Sequence, residues 1–233
     1  MGFVELLKKR AKESVKTIVL PETEDMRTLE ATDKILKEGV AKIILIGNEE
    51  EINKKAAEGG FDISGAQIVD PEKSDRTQAY IDKFVELRAK KGMTPEKAKE
   101  ILHTQYPYYG VMMVKMGDAD GMVSGACHST ADTLRPCLQI LKTKPGTKLV
   151  SAFFLMVVPN CEYGANGAFV FADSGLNQNP TSEELAAIAA SSAESFELLV
   201  QEKPIVAMLS HSTKGSAKHA DVDKVVEATK IAK

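Results

Sequence analysis

Several residue types are scarce in this sequence, and their scarcity excludes whole classes of protein. It has no tryptophan, only three cysteines and four histidines, and aromatic residues make up 6% of its 233 positions. No apolar run approaches the ~18 residues of a membrane-spanning helix, and no charged-then-apolar leader opens the chain. The cysteines are odd in number and lack C-x-x-C spacing, which argues against a disulfide framework and a zinc site. We therefore expect a cytoplasmic protein without a membrane segment.

Charge and histidine content also narrow the function. The formal net charge is −3, so no overall basic field favours nucleic acid, and any anion site must be local. The histidines are scattered and lack H-E-x-x-H or His-Asp spacing, which is typical of loop or surface positions: His103, His128, His211 and His219. We predict no metal site.

The first half of the chain alternates apolar strands with amphipathic helices. The predicted strands are 17–20, 42–47, 66–69 and 119–123. A strand that is apolar throughout must be covered on both faces, which is the situation of a parallel sheet between two helix layers. The pattern therefore predicts a doubly wound α/β domain.

A second domain is predicted after the linker at 143–148, which carries lysine, proline and glycine without an apolar anchor. Its predicted strands are 149–158, 169–172 and 205–209, and a capping-box pattern starts a helix at 181. We place the two α/β domains at 1–146 and 147–233. A last helical pattern runs from about 218 to within two residues of Lys233 without a stop signal, so we expect the second domain to be truncated.

The stretch 119–136 carries the strongest functional pattern. It combines a predicted strand, a loop at 124–130, and a helix at 132–142 with Pro136 in its first turn. Free first-turn amides, small residues, hydroxyls and an arginine suit a phosphate or carboxylate. The groups are Ser124, Gly125, Ser129, Thr130, Thr133 and Arg135. The alternative is a well-capped helix whose arginine pairs with a neighbouring aspartate.

Three other segments have weaker patterns. The hydroxyl-rich loop 210–216 precedes a predicted helix, and its Lys214 either reaches a phosphate or lies in a solvated capping loop. The spacing is not that of a Walker A loop. The tyrosines and methionines of 106–116 indicate core packing. Asp173 and Ser174 indicate a turn, because nothing around them resembles a nucleophile elbow.

Five sequence blocks together carry a family resemblance: Leu-Pro-Glu-Thr-Glu-Asp-Met-Arg (20–27), the stretch 119–136, Asn-Cys-Glu-Tyr-Gly (160–164), Phe-Ala-Asp-Ser-Gly (171–175) and Met-Leu-Ser-His-Ser-Thr-Lys-Gly-Ser-Ala-Lys (208–218). The chain resembles the phosphate acetyltransferase (phosphotransacetylase) family. The blocks span nearly the whole chain in the family's order. The family continues beyond the last of them, so the resemblance implies a C-terminally incomplete chain.

The resemblance implies a fold and a reaction. The expected fold has two three-layer α/β domains with mostly parallel sheets, similar to isocitrate and isopropylmalate dehydrogenases, with the active-site cleft between the domains. The expected reaction moves an acetyl group between phosphate and coenzyme A in acetate metabolism, with coenzyme A as substrate and no bound cofactor or metal. A homodimer is also expected. The alternatives are a phosphate butyryltransferase and a non-catalytic module that senses acetyl-coenzyme A.

Site residues carry over where the motifs match. Arg135 falls at the arginine of the family's D-T-L-R-P, and Arg88 at a second active-site arginine, although from its own pattern Arg88 is a solvated helix residue. The expected substrate-binding set is Ser124, Gly125, Ser129, Thr130, Thr133 and Lys214. The family's general base belongs to a Leu-Ser-Arg-Gly-Cys segment that this sequence lacks. We therefore expect the chain alone to be inactive or nearly so.

Overall fold

The computed structural model describes residues 2–213 and 215–233, so Lys214 lies outside the described residues. The chain forms two compact units, residues 2–142 and residues 143–233. Within the described part, no helix is both long enough and apolar enough to cross a bilayer. The content is mixed α/β with mostly parallel strand pairing.

A four-stranded parallel sheet forms the centre of the first unit, with the strand order β3-β2-β1-β4. The strands are β1 Lys16–Leu20, β2 Ala41–Ile46, β3 Gln67–Val69 and β4 Gly121–Met122. All four predicted strands of this half are confirmed, with β4 the shortest. Val19 of β1 lies in register with Ile44 on one side and Met122 on the other.

Seven α-helices belong to the same unit: α1 Phe3–Glu13, α2 Met26–Glu38, α3 Glu49–Gly59, α4 Thr77–Arg88, α5 Pro95–Thr104, α6 Tyr106–Met116 and α7 Thr130–Pro136. A 3-10 turn, Ala89–Lys91, follows α4, and a π-helix, Cys137–Leu141, follows α7. Local sequence explains where α2, α3 and α5 begin, because the side chains of Asp25, Asn48 and Thr94 accept hydrogen bonds from first-turn amides.

Side chains alternate along the central strands between two cores. Val19, Ile44 and Ile46 pack with residues of α4, α5 and α6. Leu20, Ile43 and Leu45 pack with residues of α2 and α3. Both faces of the sheet are therefore covered, which explains why these strands are apolar throughout. The tyrosines and methionines of α6 lie in the first core, as predicted.

The described residues of the second unit contain one pair of adjacent strands and two α-helices. β5 Phe153–Val157 pairs antiparallel with β6 Ala168–Ala172, and the helices are α8 Ser182–Val200 and α9 Ala220–Ala232. The predicted capping box is present, because Thr181 and Glu184 exchange hydrogen bonds at the start of α8.

Two of the three predicted strands of this unit are present as β5 and β6, and they pair antiparallel. The third strand prediction is wrong. Residues 205–209 form no strand, and Ile205 and Leu209 are 95% and 83% exposed. A buried strand requires a ladder partner and a covering layer, and among the described residues of this unit β5 and β6 pair only with each other. The apolar run at 205–209 therefore has neither.

The predicted helix 132–142 also differs from the structure. α7 begins at Thr130 because the Ser129 hydroxyl accepts a hydrogen bond from the Asp132 amide at 3.2 Å, which caps the helix earlier than expected. Pro136 consequently ends α7 instead of lying in its first turn. Proline has no amide to donate to the carbonyl one turn back, and the chain continues as a π-helix.

Candidate active site

The order of strands in the parallel sheet points to one edge. The chain goes from β1 to β2 and β3 on one side, and β4 lies on the other side of β1. Open parallel sheets bind ligands outside the carboxyl ends of the strands where the connection direction reverses. Here that point lies between the segments that follow β1 and β4, residues 21–25 and 123–128. The loop singled out in the sequence therefore lies at the expected place for a ligand site.

Glu22 occupies the centre of this edge and is 2% exposed. Its Oε2 accepts hydrogen bonds from the amides of Gly125 and Ala126 at 2.7 and 2.8 Å. Its Oε1 accepts from the amides of Cys127 and His128, each at 2.9 Å, and lies 2.9 Å from Nδ1 of His128. Burial alone raises the pKa of Glu22, but the donors from Cys127, Ala126 and His128 lower it well below the usual range.

Of the expected substrate-binding residues, Gly125 thus has its amide already bonded within the chain. Residues 125–128 do bind an anion, but in this structure the anion is the protein's own carboxylate. In the sequence analysis, Glu22 appears only as part of the block 20–27 that carries the family resemblance. The available signal was a glutamate immediately after the proline that ends the central strand.

A second contact holds the same loop from its carbonyl side. The guanidinium of Arg27 forms an ion pair with Asp25 at 2.6 Å, and it also donates to the carbonyl of Ala126. Glu22 and Arg27 both belong to the connection from β1 into α2. The loop after β4 is therefore fixed by one segment through both its amides and a carbonyl.

Arg135 lies in the last turn of α7 with its side chain 55% exposed. Its Nη1 is 3.4 Å from Oδ1 of Asp132, and Ser129 caps the helix. The well-capped helix with an arginine-aspartate pair is therefore present in the structure. Because an exposed pair of this kind contributes only about 0–1 kcal/mol, it does not immobilise the guanidinium.

Several residues of the predicted site have buried polar atoms without a hydrogen-bond partner. Within the described part of the chain, four buried side-chain nitrogen or oxygen atoms have no hydrogen-bond partner: Nε of Arg88, Nε2 of His103, Oγ of Ser124 and Oγ1 of Thr133. Three of these residues belong to the sequence-predicted site. Buried polar atoms are nearly always paired, so each exception requires an explanation, and a bound ligand is one.

Tyr108 lies within the electrostatic influence of both predicted arginines. Burial raises the pKa of Tyr108, and the positive charges of Arg135 and Arg88 oppose that rise, so both guanidinium groups act on one phenol. The hydroxyl of Tyr108 is 3.4 Å from Oε1 of Gln139, a weak contact. Sequence reasoning assigned this residue only to the core. Its position depends on the packing of α6 against α7 and the following π-helix.

The remaining predicted residues are distributed differently. The amide of Gly125 is used by Glu22, and a side chain at that position would have open space but a strained φ of +115°. Ser129 is used as the α7 cap, and Thr130 is exposed in the first turn. Lys214 belongs to the other unit and lies outside the described residues.

Ligand atoms of Glu22, Cys127 and His128 lie within 4.8 Å of one another, which raises the question of a metal. The donor set does not fit one. The carboxylate oxygens of Glu22 already accept hydrogen bonds from four backbone amides, and Oε1 also lies 2.9 Å from Nδ1 of His128. Burial, followed by the carboxylates of Glu24 and Glu22, raises the pKa of the Cys127 thiol to about 12, so the thiolate that a metal prefers is disfavoured.

A cavity of about 450 Å³ opens beside this edge, between the segments after β1 and β2. His103, with its unpartnered Nε2, is one of its walls. Both acidic and basic side chains line it, so its charge favours no single class of ligand: Glu24, Glu51, Lys55, His103 and His128.

The family described as "Phosphate acetyl/butaryl transferase" matches residues 2–233. The phosphate acetyltransferase of Acetivibrio thermocellus is 56% identical over all 233 residues, which cover 69% of that protein. The phosphate acetyltransferase of Clostridium acetobutylicum is 50% identical over the whole chain, which covers 70% of it. The chain thus spans about 70% of the length of these relatives.

Solved structures give the same result. The EutD phosphotransacetylase from Staphylococcus aureus matches with a TM-score of 0.88 and 40% identity, over 99% of this chain and 67% of that one. A phosphotransacetylase from Streptococcus pyogenes matches with a TM-score of 0.88 and 43% identity, over 99% and 68% of the two chains. By sequence and by fold, this chain belongs to the phosphate acetyl/butaryl transferase family.

Proposed function

We propose that the chain acts in acetyl transfer between phosphate and coenzyme A, in which acetyl phosphate and coenzyme A give acetyl-coenzyme A and phosphate. Relatives named phosphate acetyltransferase cover the whole chain at 50% identity or more, which supports this reaction. The observation that carries the proposal is that three residues of the expected site, Arg88, Ser124 and Thr133, have buried polar atoms without a hydrogen-bond partner.

We propose that Arg135 and Arg88 bind the phosphoryl group of acetyl phosphate. A guanidinium presents a planar fork of donors to the non-bridging oxygens, and negative charge grows on them as phosphate leaves. Ser124, Thr130 and Thr133 add hydroxyl donors, and Lys214 is proposed as a further cation. Gly125 and Ser129 act through the loop and the helix cap that hold these donors.

The chemical step follows from the substrates. The sulfur of coenzyme A, as thiolate, attacks the acetyl carbonyl carbon, the bond from that carbon to the phosphate oxygen breaks, and phosphate leaves with the electron pair. Holding both substrates in line contributes roughly 7–11 kcal/mol. Acyl transfer changes no oxidation state, so we propose that coenzyme A is a substrate and that no bound cofactor takes part. No described residue is assigned as the base that removes the thiol proton.

The larger organisation is also a proposal. We infer two α/β domains, 1–146 and 147–233, an active-site cleft between them as in isocitrate and isopropylmalate dehydrogenases, and a cytoplasmic homodimer. The division of the chain into compact units after Lys142 supports the domain boundary to within four residues. The free state of all three cysteines is compatible with a reducing compartment.

The family's description names a second acyl group besides acetyl. Butyryl phosphate is therefore the alternative substrate. Acyl-chain preference depends on the width of the pocket around the carbonyl substituent, and an extra methylene changes selectivity by about 1–3 kcal/mol. Comparing turnover of acetyl phosphate and butyryl phosphate by the same preparation separates the two activities.

The central test is Arg135→Ala in a protein that joins this sequence to the remaining part of the Acetivibrio thermocellus relative. We expect kcat/KM for acetyl phosphate to fall about a hundredfold or more, which corresponds to about 2.7 kcal/mol. Arg135→Lys keeps the charge without the fork and should recover only part of the loss. Lys115→Ala, which removes an exposed cation of α6, is the matched control. An Arg135→Ala enzyme within about threefold of the parent would remove Arg135 from the mechanism.

A further inference from the structure

We propose that Glu22 is a positioning residue for the phosphoryl-binding site: its carboxylate is the permanent anion of loop 125–128, so side chains, and not these amides, bind the substrate. This inference rests on the proposed function. The loop amides then hold the structure of the loop, and the side chains of Ser124, Thr133 and the two arginines bind the phosphoryl group.

The acceptor capacity of Glu22 is fully used. A carboxylate offers about four lone-pair sites. Here its two oxygens accept hydrogen bonds from the backbone amides of residues 125–128, and Oε1 also faces Nδ1 of His128. Each of these nitrogen–oxygen distances is 2.9 Å or less. Four successive amides aimed at one point form an anion-binding concavity. A substrate phosphate can enter it only if the carboxylate first gives up every one of these bonds.

Burial makes such an exchange costly. The residue is 2% exposed, and a displaced carboxylate would need new donors or a path to water. The bond from Arg27 to the carbonyl of Ala126 holds the other side of the loop in the same place. Glu22 is therefore better suited to organise the loop than to compete with substrate for it.

The hydrogen bonds from amides 125–128 to Glu22 are here called the clamp. The segment 125–128 that it holds lies between the groups proposed to bind phosphate. Ser124, with its unpartnered hydroxyl, immediately precedes residues 125–128, and the Ser129 cap of α7 immediately follows them. Thr133 and Arg135 extend from that helix. If the clamp is lost, the hydroxyl on one side and the helix on the other are no longer fixed relative to each other. Because misplacement by about 1 Å costs about a hundredfold in rate, this loss is expected to be measurable.

Two variants test the clamp in the 233-residue chain. Glu22→Gln keeps the shape but replaces one acceptor oxygen by an NH₂ group that faces amide donors. Glu24→Gln removes an exposed carboxylate of the same segment, whose described contact is the Cys127 thiol at 3.3 Å. Hydrogen exchange of amides 125–128 should be at least about tenfold faster in Glu22→Gln, because these bonds protect them, and within about twofold of wild type in Glu24→Gln.

The affinity for inorganic phosphate, measured by titration calorimetry, distinguishes two roles of Glu22. Loss of the carboxylate should weaken phosphate binding if Glu22 positions the loop, and strengthen it if Glu22 competes with phosphate for the loop amides. We expect Glu22→Gln to bind phosphate at least about tenfold more weakly than wild type. Tighter binding by Glu22→Gln would mean that Glu22 competes with the substrate for the amides, and it would overturn the proposal. Unchanged amide exchange would overturn it as well. If wild type binds no phosphate, the proposed function fails, while the exchange experiment still decides whether Glu22 orders the loop.

Turnover in the joined protein distinguishes positioning from loss of folded enzyme. Partial unfolding lowers kcat and leaves both KM values unchanged. A misplaced phosphoryl site raises KM for acetyl phosphate, lowers kcat, and leaves KM for coenzyme A unchanged. Glu22→Asp keeps the charge and should recover part of the loss. If Glu22→Gln does not fold, Glu22→Asp carries the test, and parent-like KM values and amide exchange in that variant would count against positioning.

Discussion

At the scale of single residues, two carboxylates each organise a loop. Glu22 binds the amides after β4, and Asp173 has the same role in the second unit. Asp173 accepts from the hydroxyl of Ser151 at 3.0 Å, from the amide of Leu176 at 2.7 Å and from the side chain of Asn177 at 2.7 Å. Burial opposes ionisation of Asp173, but Asn177, Leu176 and Ser151 lower its pKa to about 2. This structural role agrees with the sequence prediction that Asp173 is not part of a nucleophile.

The neighbours of the exposed Cys127 thiol determine its pKa and therefore its reactivity. Its side chain is accessible, but burial of the sulfur and the carboxylate of Glu24 raise its pKa to about 12. We predict that at neutral pH iodoacetamide alkylates Cys127 at least about tenfold more slowly in the native chain than in the denatured chain, because only the thiolate reacts. Mass spectrometry of the Cys127 peptide measures both rates.

The alkylation rate of native Cys127 should rise with pH. A raised thiol pKa keeps the reactive form scarce until alkaline pH, so the native rate should still be rising where an ordinary thiol has reached its plateau. Glu24→Gln removes the nearest carboxylate and should increase the neutral rate. Equal native and denatured rates would contradict the assigned environment of Cys127.

At the scale of elements, local sequence determined where helices begin more reliably than what strands pair with. α8 begins after Thr181, as its capping-box pattern predicts, and the side chains of Asn48 and Thr94 cap α3 and α5 in the same way. The error at α7 came from two competing local signals, the cap at Ser129 and the proline at 136. The error at 205–209 has another origin, since an apolar run becomes a buried strand only if a neighbour is available.

Helix α6 approaches the sheet closely at Gly110. A β-carbon there would lie 2.8 Å from Sδ of Met122 and 3.1 Å from Cγ1 of Val19. We predict that Gly110→Val lowers the free energy of unfolding by about 2–3 kcal/mol, because a branched side chain overpacks this contact. Urea unfolding followed by circular dichroism measures the change.

Gly121→Ala provides the matched control for that experiment. Its new β-carbon would meet Cδ1 of Ile18 at 3.4 Å, an ordinary contact. The control should change stability by less than about 1 kcal/mol. A Gly110→Val protein as stable as the control would show that α6 can move away from the sheet without cost.

At the scale of the whole molecule, the two units differ in how completely they bury apolar surface. Both large core clusters lie within residues 2–142. In residues 143–233 the buried hydrophobic side chains are few and mostly small: Ala168, Ala186, Ile188, Ala189, Val200, Val222 and Ala228. Phe154 of β5 is 62% exposed, and Phe171 of β6 is 56% exposed.

This difference predicts unequal stability. Residues 2–142 expressed alone should retain the thermal midpoint that this unit has in the chain to within about 5 °C, because its core is self-contained. Residues 143–233 alone should bind a hydrophobic dye and unfold without a sharp transition. Calorimetry and dye fluorescence measure these properties. A cooperative transition of 143–233 alone, above that of 2–142, would contradict the prediction.

The sequence by itself determined the parallel α/β character of the first half, the positions of its four strands and the start of α8, and it pointed to the loop beside Arg135 as an anion-binding loop. These features depend on local periodicity, capping and turn chemistry, which a short window contains. Only the tertiary structure decided which anion fills the loop, because Glu22 and Gly125 are 103 residues apart and meet through the order of strands in the sheet. Hydrogen bonds between distant segments follow from topology, and local sequence patterns carry only the propensity to form them.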